Sequence, residues 1–468
     1  MSFVIYDLET SGLEPAWNVP LQTAMIHTNA ELEPIGELSL RCRLPAHIVP
    51  APGALLTTGL RPEQLEQAPL ACWEMLGIIA RALQAWAPAT IIGYNTLKFD
   101  EEMLRHAFFT HLMPPYATSL GGHRRADLLT IVRAVAMLES NALNIPLGAT
   151  GKASFKLGGI CRANGIALSE DEAHDAMADT KATLALLRHL REVAPTTTAT
   201  MLGLADKGIA SRTLASQEVV LLGGLSKLTP VIGVMPHPAV STSWAAVELT
   251  VDPADYLDLA VDEIVALFCA RGVRPIRAVK TNAQPILVGY EQGCHALRED
   301  QRDLALYHER AVRIREHAGF RANLAAAMLA RFADREPSPY HEATLYSGGF
   351  LSNVDARACA HWHVSPWADR PAIAAGFGDE RLKAFANRLT LMEAPQSLSP
   401  VAWQKGQAWL RERLMTEADV PWLTLPKALS EVAALRQTLP VEDAARHALL
   451  DTIERWLGER SQNFAYAA

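Results

Sequence analysis

The chain has 468 residues, of which 49% are hydrophobic and 20% are charged, as in ordinary globular proteins, and this length suits roughly three domains. A net charge of −8 excludes a surface that is basic throughout, so any contact with nucleic acid must come from local clusters of positive charge. The six cysteines include no CxxC pair and no apolar run approaches the roughly 20 residues of a membrane span, so we expect a soluble, cytoplasmic protein with free thiols.

The first segment is an apolar run that ends in two carboxylates, Asp7 and Glu9, one residue apart. If this run is a strand, alternation places both side chains on the same face, where they repel each other unless a cation lies between them. Magnesium or manganese fits, because hard oxygen ligands suit these ions. A bare Asp-x-Glu pair is more often a strand end that faces solvent, so this interpretation depends on the segments that follow.

Residues 21–30 and 35–43 have the pattern of an antiparallel extension of the first strand. Helical spacing of apolar residues predicts a helix over 70–86, and the short apolar run 89–95 predicts a buried strand that closes with Gly and Asn. The next helix begins at Asp100. Taken alone, an Asp at this position most often caps its helix.

Residues 121–165 carry a cluster of basic side chains around a helix that is predicted to start near Asp127. The members of this cluster are His123, Arg124, Arg125, Arg133, Lys152, Lys156 and Arg162.

A third acidic signal lies in the segment 173–180, which leads into another apolar helix. We place His174 in the loop that approaches this helix and Asp179 in its first turns. Asp175 then caps the helix. A lone His is usually a surface or core residue, and only the neighbouring acids single this one out.

Three acidic signals follow one another along the chain, each at the end of a predicted element. They are the acid pair of the first strand, the acid after the strand that ends in Gly-Tyr-Asn, and the helix start with His and Asp. In this order they resemble the DEDDh exonucleases of the ribonuclease H-like fold. Asp7 and Glu9 match the first motif of that group, Asp100 matches the second, and His174 and Asp179 match the third.

Within this superfamily the chain is most similar to the exonuclease I family of bacteria. The resemblance is carried by residues 93–95 with 99–100, by 154–157, by 163–166 and by 174–179.

After residue 194 the composition changes, and the run 196–200 is interpreted as a linker. Short apolar runs broken by Gly, Pro and Asn then predict a β-rich module, where the family has an SH3-like domain. Asn282, Pro285 and Leu287 match the family there. The basic edge of this module either touches phosphates or is simply solvated; it consists of Arg271, Arg274, Arg277 and Lys280.

From residue 300 onward the pattern is largely helical, and the segment 345–350 resembles the motif that opens the helical C-terminal domain of exonuclease I. Cys359, His361 and His363 lack a second pair at finger-like spacing, so a structural zinc site is not expected there. We predict an α/β protein with three domains. Residues 1–194 form a ribonuclease H-like exonuclease domain, 195–338 an SH3-like β-rich domain with helices, and 339–468 a helical C-terminal domain.

The resemblance implies a magnesium-dependent 3′→5′ exonuclease that degrades single-stranded DNA to 5′-mononucleotides in DNA repair or recombination. It implies two Mg²⁺ per site, with Mn²⁺ as a substitute. Asp7, Glu9 and Asp179 would hold the metal that polarises water, with Asp7 bridging, and Asp100 would help to hold the second metal. His174 would be the general base, because imidazole titrates near neutrality.

Five residues are predicted to contact the substrate: Glu9, Thr10, Asn95, Arg125 and Lys156. Lys156 aligns with an Arg of the family, so it keeps the charge but loses the bidentate fork. The resemblance also implies a monomer with a partly closed basic passage, processive digestion and docking of the tail of single-stranded DNA-binding protein. No membrane contact is expected.

Two alternatives remain open from the residues. An oligoribonuclease or a proofreading subunit would share all five site residues, but such proteins are usually one short domain, and the roughly 270 residues after the nuclease region count against them. A non-catalytic single-stranded DNA-binding scaffold would be expected to have lost a carboxylate, and none is missing.

Overall fold

The structure is a computed structural model that describes residues 2–167, 175–270, 274–331 and 336–465. The strands in these residues form two five-stranded sheets, and helices pack around both of them. The predicted α/β fold class is confirmed.

The predicted nuclease region contains the first sheet and the helices that cover it. Its elements are β1 (Ser2–Thr10), β2 (Pro20–Thr28), β3 (Pro34–Arg41), α1 (Pro52–Thr58), α2 (Pro62–Gln67), α3 (Cys72–Ala85), β4 (Ala89–Gly93), α4 (Asp100–Thr110), β5 (Arg124–Asp127), α5 (Leu128–Leu138), α6 (Leu157–Ala163) and α7 (Ala176–Val193).

Strand β1 is the centre of the first sheet, whose order is β3-β2-β1-β4-β5. It pairs antiparallel with β2 and parallel with β4, as expected for a ribonuclease H-like sheet with an antiparallel extension. Phe3 and Ile5 enter one hydrophobic core, whereas Val4, Tyr6 and Leu8 enter another. Because side chains alternate along a strand, Asp7 and Glu9 continue the row of Phe3 and Ile5.

The second region holds an antiparallel sheet of order β10-β6-β7-β8-β9, in agreement with the predicted β-rich module. Its elements are α8 (Pro195–Gly203), α9 (Lys207–Ala215), β6 (Val220–Gly223), β7 (Leu228–Pro236), β8 (Ser243–Glu248), α10 (Val261–Cys269), β9 (Ile276–Lys280), β10 (Leu287–Gly289), α11 (Tyr290–Gly293), α12 (Leu304–Glu316) and α13 (Ala318–Ala330).

Sequence reasoning missed strand β9, which carries part of the predicted basic edge. Arg277 is paired with the buried Glu248 across the sheet at 2.7 Å, so its charge is used inside the module. Arg271 lies outside the described residues.

The interpretation of 196–200 as a linker is wrong, because these residues lie in helix α8. Pro195 occupies the first turn of this helix, where a missing backbone N–H costs nothing. The hydroxyl of Thr198 donates to the carbonyl of Leu190 at 3.0 Å, and that of Thr197 donates to Glu139 at 2.5 Å. Burial of these threonines overrides their low helix propensity.

The C-terminal region is helical, as predicted. Its helices are α14 (Asn353–Val364), α15 (Arg370–Ala375), α16 (Glu380–Glu393), α17 (Pro400–Met415), α18 (Leu425–Thr438) and α19 (Ala444–Ala465). Cys359, His361 and His363 lie in α14, where Cys359 is buried and His363 bonds to the carbonyl of His111.

The last helices of the chain complete the core of the first sheet. Leu450, Ile453 and Leu457 of α19 belong to the same buried cluster as Val4 and Leu8 of β1. The indole N–H of Trp456 also donates to Glu66 at 2.6 Å. The domain boundaries at 194 and 338 stay predictions, and each of the three hydrophobic cores among the described residues extends across at least one of them. Among the described helices, none combines the length and apolarity needed to cross a membrane.

Replacing Ile453 with Ala should lower the free energy of unfolding by about 2–5 kcal/mol, because it leaves a cavity in this shared core. Denaturant titrations followed by circular dichroism would measure the loss, with hydrogen exchange to locate it. Val441→Ala is a control, since Val441 is 91% exposed and its change should stay within about 0.5 kcal/mol. A loss of protection confined to α19, with β1 unaffected, would contradict a shared core.

Candidate active site

Three carboxylates meet at one end of β1. Asp7 and Glu9 come from β1, and Asp179 comes from the first turn of α7, which packs against β1 and β2. One carboxylate oxygen from each of the three lies within 4.8 Å of the other two. The structure therefore brings together acids from the first strand and from helix α7, with oxygen atoms close enough to bind one cation.

The start of α7 is fixed beside the acidic pair by Gln22, a residue that sequence reasoning missed. Asp175 caps the helix, as predicted, by accepting from the backbone N–H groups of Met177 and Ala178 at 3.2 and 3.3 Å. Gln22 donates to the same carboxylate at 2.6 Å. Gln22 is the β2 partner of Glu9 in the sheet register, so this contact ties the helix to the strand pair.

Asp100 is the first residue of α4 and is buried, while Phe99 occupies the cap position. It is not a member of the three-carboxylate group, yet its charge raises the pKa of both Asp7 and Glu9. Burial raises the pKa of Asp100 itself to about 8, although a hydrogen bond from the backbone N–H of Leu8 opposes this shift. Asp100 thus lies near the cluster, in a separate position.

The cluster holds its carboxylates in an environment that disfavours their charge. Burial, followed by the charges of Asp100, Glu9 and Asp179, raises the pKa of Asp7 well above its usual range. Burial, followed by Asp179 and Asp100, raises the pKa of Glu9 to about 8. Without a cation Glu9 therefore retains its proton near neutral pH, and a bound cation would favour the ionised form of the cluster.

The loop after β4 brings Asn95 to the edge of the site. Asn95 has a positive φ of 66°, and its backbone N–H donates to the carboxylate of Asp127 at 2.9 Å. Gly93 precedes it where β4 passes close to β1: a Cβ there would lie 2.5 Å from the carbonyl oxygen of Tyr6. Asp127 also caps α5, which starts where the sequence predicted.

The remaining predicted substrate residues have different surroundings. Lys156 is exposed at the start of α6, whereas Thr10 is buried and its hydroxyl donates to the carbonyl of Gly12 at 2.9 Å. Arg125 donates to Glu101 at 2.9 Å and to the carbonyl of Asn282 at 3.1 Å. The contacts of Arg125 are thus internal, and its role toward substrate stays a prediction. His174 lies outside the described residues, so its role also stays a prediction.

A groove of about 1510 Å³ opens beside Asp179. Its aromatic lining residues are Tyr94 and Phe155, and the hydroxyl of Tyr94 donates to the carbonyl of Phe155 at 2.5 Å. Its cationic lining residues are Arg133, Lys156, Arg162 and Lys181. Of these four, sequence reasoning missed Lys181, which lies two residues after Asp179 on α7.

Two family models match the chain. Residues 4–187 match the model described as exonuclease, and residues 340–460 match the exonuclease I C-terminal domain. Exodeoxyribonuclease I of Haemophilus influenzae is 37% identical over 198 residues, which are 42% of this chain and 41% of that protein. Exodeoxyribonuclease I of Escherichia coli is 28% identical over 449 residues, with 88% of this chain and 89% of that protein covered.

Solved structures of exonuclease I resemble the whole fold. The exonuclease I of Methylocaldum szegediense has a TM-score of 0.86 at 25% identity, with 98% of this chain and 99% of that chain covered. The E. coli exonuclease I in complex with a dA16 oligonucleotide has the same TM-score, identity and coverage.

Replacing Asp7 with Asn should stabilise the metal-free protein at pH 8. The pKa of Glu9 and of Asp100 is raised to about 8, so between about pH 4 and pH 8 the folded state binds more protons than the unfolded state. Wild-type stability therefore falls as the pH rises through this range. Removal of the Asp7 charge should reduce this fall and raise the unfolding temperature at pH 8 by about 2 °C or more.

Thermal unfolding in EDTA and in Mg²⁺, from pH 5 to pH 9, measures both the pH dependence of stability and the stabilisation by metal. Mg²⁺ should stabilise the wild type and have much less effect on Asp7→Asn. The exposed Asp419 provides the matched control, since Asp419→Asn should behave as wild type. Equal stabilisation of Asp7→Asn and wild type by Mg²⁺ would contradict metal binding at this cluster.

Proposed function

Because this chain belongs to the exonuclease I family and is therefore an exonuclease acting on DNA, we propose that it removes nucleotides from the 3′ end of single-stranded DNA with magnesium. The observation that carries this proposal is the cluster of Asp7, Glu9 and Asp179 at the end of a groove with cationic side chains. Hydrolysis there would release 5′-mononucleotides.

The donor set fits a divalent metal. Asp7, Glu9 and Asp179 offer only carboxylate oxygens, which suit Mg²⁺ or Mn²⁺ better than softer metals. These three residues would hold one ion, and Asp100 would help to hold a second. Divalent metal bound there would neutralise charge on the phosphate and favour ionisation of the attacking water.

His174 is proposed as the general base. Its place in the chain, directly before the capped start of α7, supports this role, because Asp175 is anchored by Gln22 beside the acids. A neutral imidazole can accept the proton of the attacking water near pH 7.

The groove supports a single-stranded substrate. Its four cationic residues can neutralise successive phosphates, and its two aromatic residues offer surfaces for base stacking. These local charges reconcile DNA binding with the net charge of −8. Among the similar structures, E. coli exonuclease I was solved with dA16 and with a dA13 oligonucleotide. Glu9, Thr10, Asn95 and Lys156 remain proposed contacts of the terminal nucleotides.

We also propose single-stranded DNA-binding protein as a partner, since a similar structure contains SSB/exonuclease I in complex with an inhibitor. A monomer that acts in the cytoplasm, in DNA repair or recombination, agrees with this role. The match over almost the full length of exonuclease I argues against the single-domain relatives with the same acids.

A blocked 3′ end should protect a single strand, because nucleotides are released from that end only. Oligonucleotides with a terminal phosphorothioate at either end, a duplex and an RNA strand would be digested side by side in Mg²⁺. We expect the unblocked and 5′-blocked strands to be degraded, and the 3′-blocked strand and the duplex to persist. Asp179→Asn controls for contaminating nucleases, and protection by the 5′ block alone would refute the polarity.

His174→Ala should lower single-turnover cleavage by roughly 10²- to 10⁴-fold, the usual contribution of a general base. Affinity for single-stranded DNA, measured in Ca²⁺, should change little. The variant should regain part of its rate as the pH is raised, because hydroxide can replace the lost base. His189→Ala, on α7 outside the proposed site, is the control. If His174→Ala cleaved at the wild-type rate, and its rate fell at low pH in the same way as that of the wild type, the proton of the attacking water would leave by another route.

A further inference from the structure

A turn of the second region enters the nuclease region next to the proposed active site. This turn spans residues 281–284 and connects β9 to β10. Gln284 ends it in a left-handed conformation, with φ of 47° and ψ of 61°, and its side chain is only 1% exposed. A buried amide in this conformation indicates a defined contact rather than a solvated connection.

Both ends of the Gln284 amide are bonded to backbone groups. The backbone N–H of Asp127 donates to Oε1 of Gln284 at 2.7 Å, and Nε2 of Gln284 donates to the carbonyl of Met201 at 2.9 Å. Gln284 thereby connects the last residue of β5, an edge strand of the first sheet, to helix α8 of the second region.

Asp127 in turn bonds to the loop that borders the proposed active site. One oxygen of its carboxylate accepts from the backbone N–H of Asn95 at 2.9 Å, and the other accepts from Leu97 at 3.2 Å. Asn95 has a positive φ, a left-handed conformation that asparagine tolerates, and its bond to Asp127 helps to hold the loop in this conformation. The loop from Asn95 leads directly into Asp100.

The same turn reaches this loop by a second route. The carbonyl of Asn282 accepts from Arg125 at 3.1 Å, and Arg125 also donates to Glu101 at 2.9 Å. Glu101 follows Asp100 in the first turn of α4 and is 1% exposed. Contacts from residues 282 and 284 therefore reach both ends of the segment 95–101.

We propose that Gln284 is a positioning residue for the exonuclease reaction, acting through Asp127 on Asn95 and Asp100. Docking of the 281–284 turn adds contacts from the second region to this edge of the site. The proposal rests on the proposed function for its kinetic consequences. Asn282, Pro285 and Leu287, the family matches found in the sequence, lie in or next to this turn.

The test replaces Gln284 with Met, which keeps the length of the side chain and removes both hydrogen bonds. Gln292→Met is the matched control, since Gln292 is an exposed glutamine of the same region. Hydrogen exchange of the full-length, metal-free protein is followed by mass spectrometry. In Gln284→Met, peptides that cover 94–101 should exchange at least ~5-fold faster, while those of β1 and β2 keep the wild-type rate.

Kinetics provide a second readout on the same variants. Gln284→Met should lower kcat about 10-fold, because loosening a positioned group costs turnover, with KM for a single-stranded oligonucleotide within about twofold of wild type. The Mg²⁺ concentration for half-maximal rate should rise. Unchanged exchange at 94–101, or faster exchange throughout the protein with unchanged kcat, would overturn the positioning role.

A double variant tests whether Gln284 acts through Asp127. If it does, the double variant Gln284→Met with Asp127→Asn should be no slower than Asp127→Asn alone, whereas multiplying losses would overturn the connection. Should Gln284→Met fail to fold, Gln284→Asn, which withdraws the amide by one methylene, is measured in its place with the same expected and contrary results. A wild type that cuts no DNA would refute the proposed function, while the exchange experiment would still decide the positioning role.

Discussion

Repulsion between carboxylates that the fold holds close together is the constraint on which this site depends. Asp7, Glu9 and Asp179 have ligand oxygens within 4.8 Å of one another, and Asp100 adds a further charge nearby. Burial strengthens this repulsion, because water screens the charges less. Such an arrangement is unfavourable for the fold on its own, and it is explained by the cation that the carboxylates are suited to bind.

The surrounding structure is organised to keep these acids in place. Strand β1 is hydrogen-bonded on both sides, and its alternate residues enter two different cores. Gln22 fixes the start of the helix that carries Asp179, and Asp127 fixes the loop before Asp100. Each acid is thus positioned by an element that bonds to a neighbouring element, rather than by its own flexible side chain.

The positively charged side chains have two different kinds of surroundings, buried internal contacts and the lining of an open groove. Arg388 and Arg413 are buried in the C-terminal region, where Arg388 pairs with Glu342 at 2.8 Å and Arg413 stacks over Trp422 at 4.0 Å. These arginines hold the segment that enters the C-terminal helices. The groove beside Asp179 instead has cations along an open cavity, as the proposed contact with phosphates requires. Whether a cationic side chain stabilises the fold or is available to a phosphate therefore depends on its surroundings.

The amino-acid sequence by itself determined the acidic strand, the helix that carries Asp179, the cap at Asp175 and the division into a sheet-rich beginning and a helical end. Strand alternation, helical spacing and capping act over a few residues, so a local pattern was sufficient. Matching to a known family extended this to the proposed roles of Asp100 and His174. Only the tertiary structure decided that Thr197 and Thr198 lie in a helix, that Arg125 bonds internally, and that Gln22 and Gln284 support the site. Those outcomes depend on partners that are 153 residues apart for Gln22 and Asp175, and 157 residues apart for Gln284 and Asp127, and no local pattern specifies which distant groups will satisfy a buried amide.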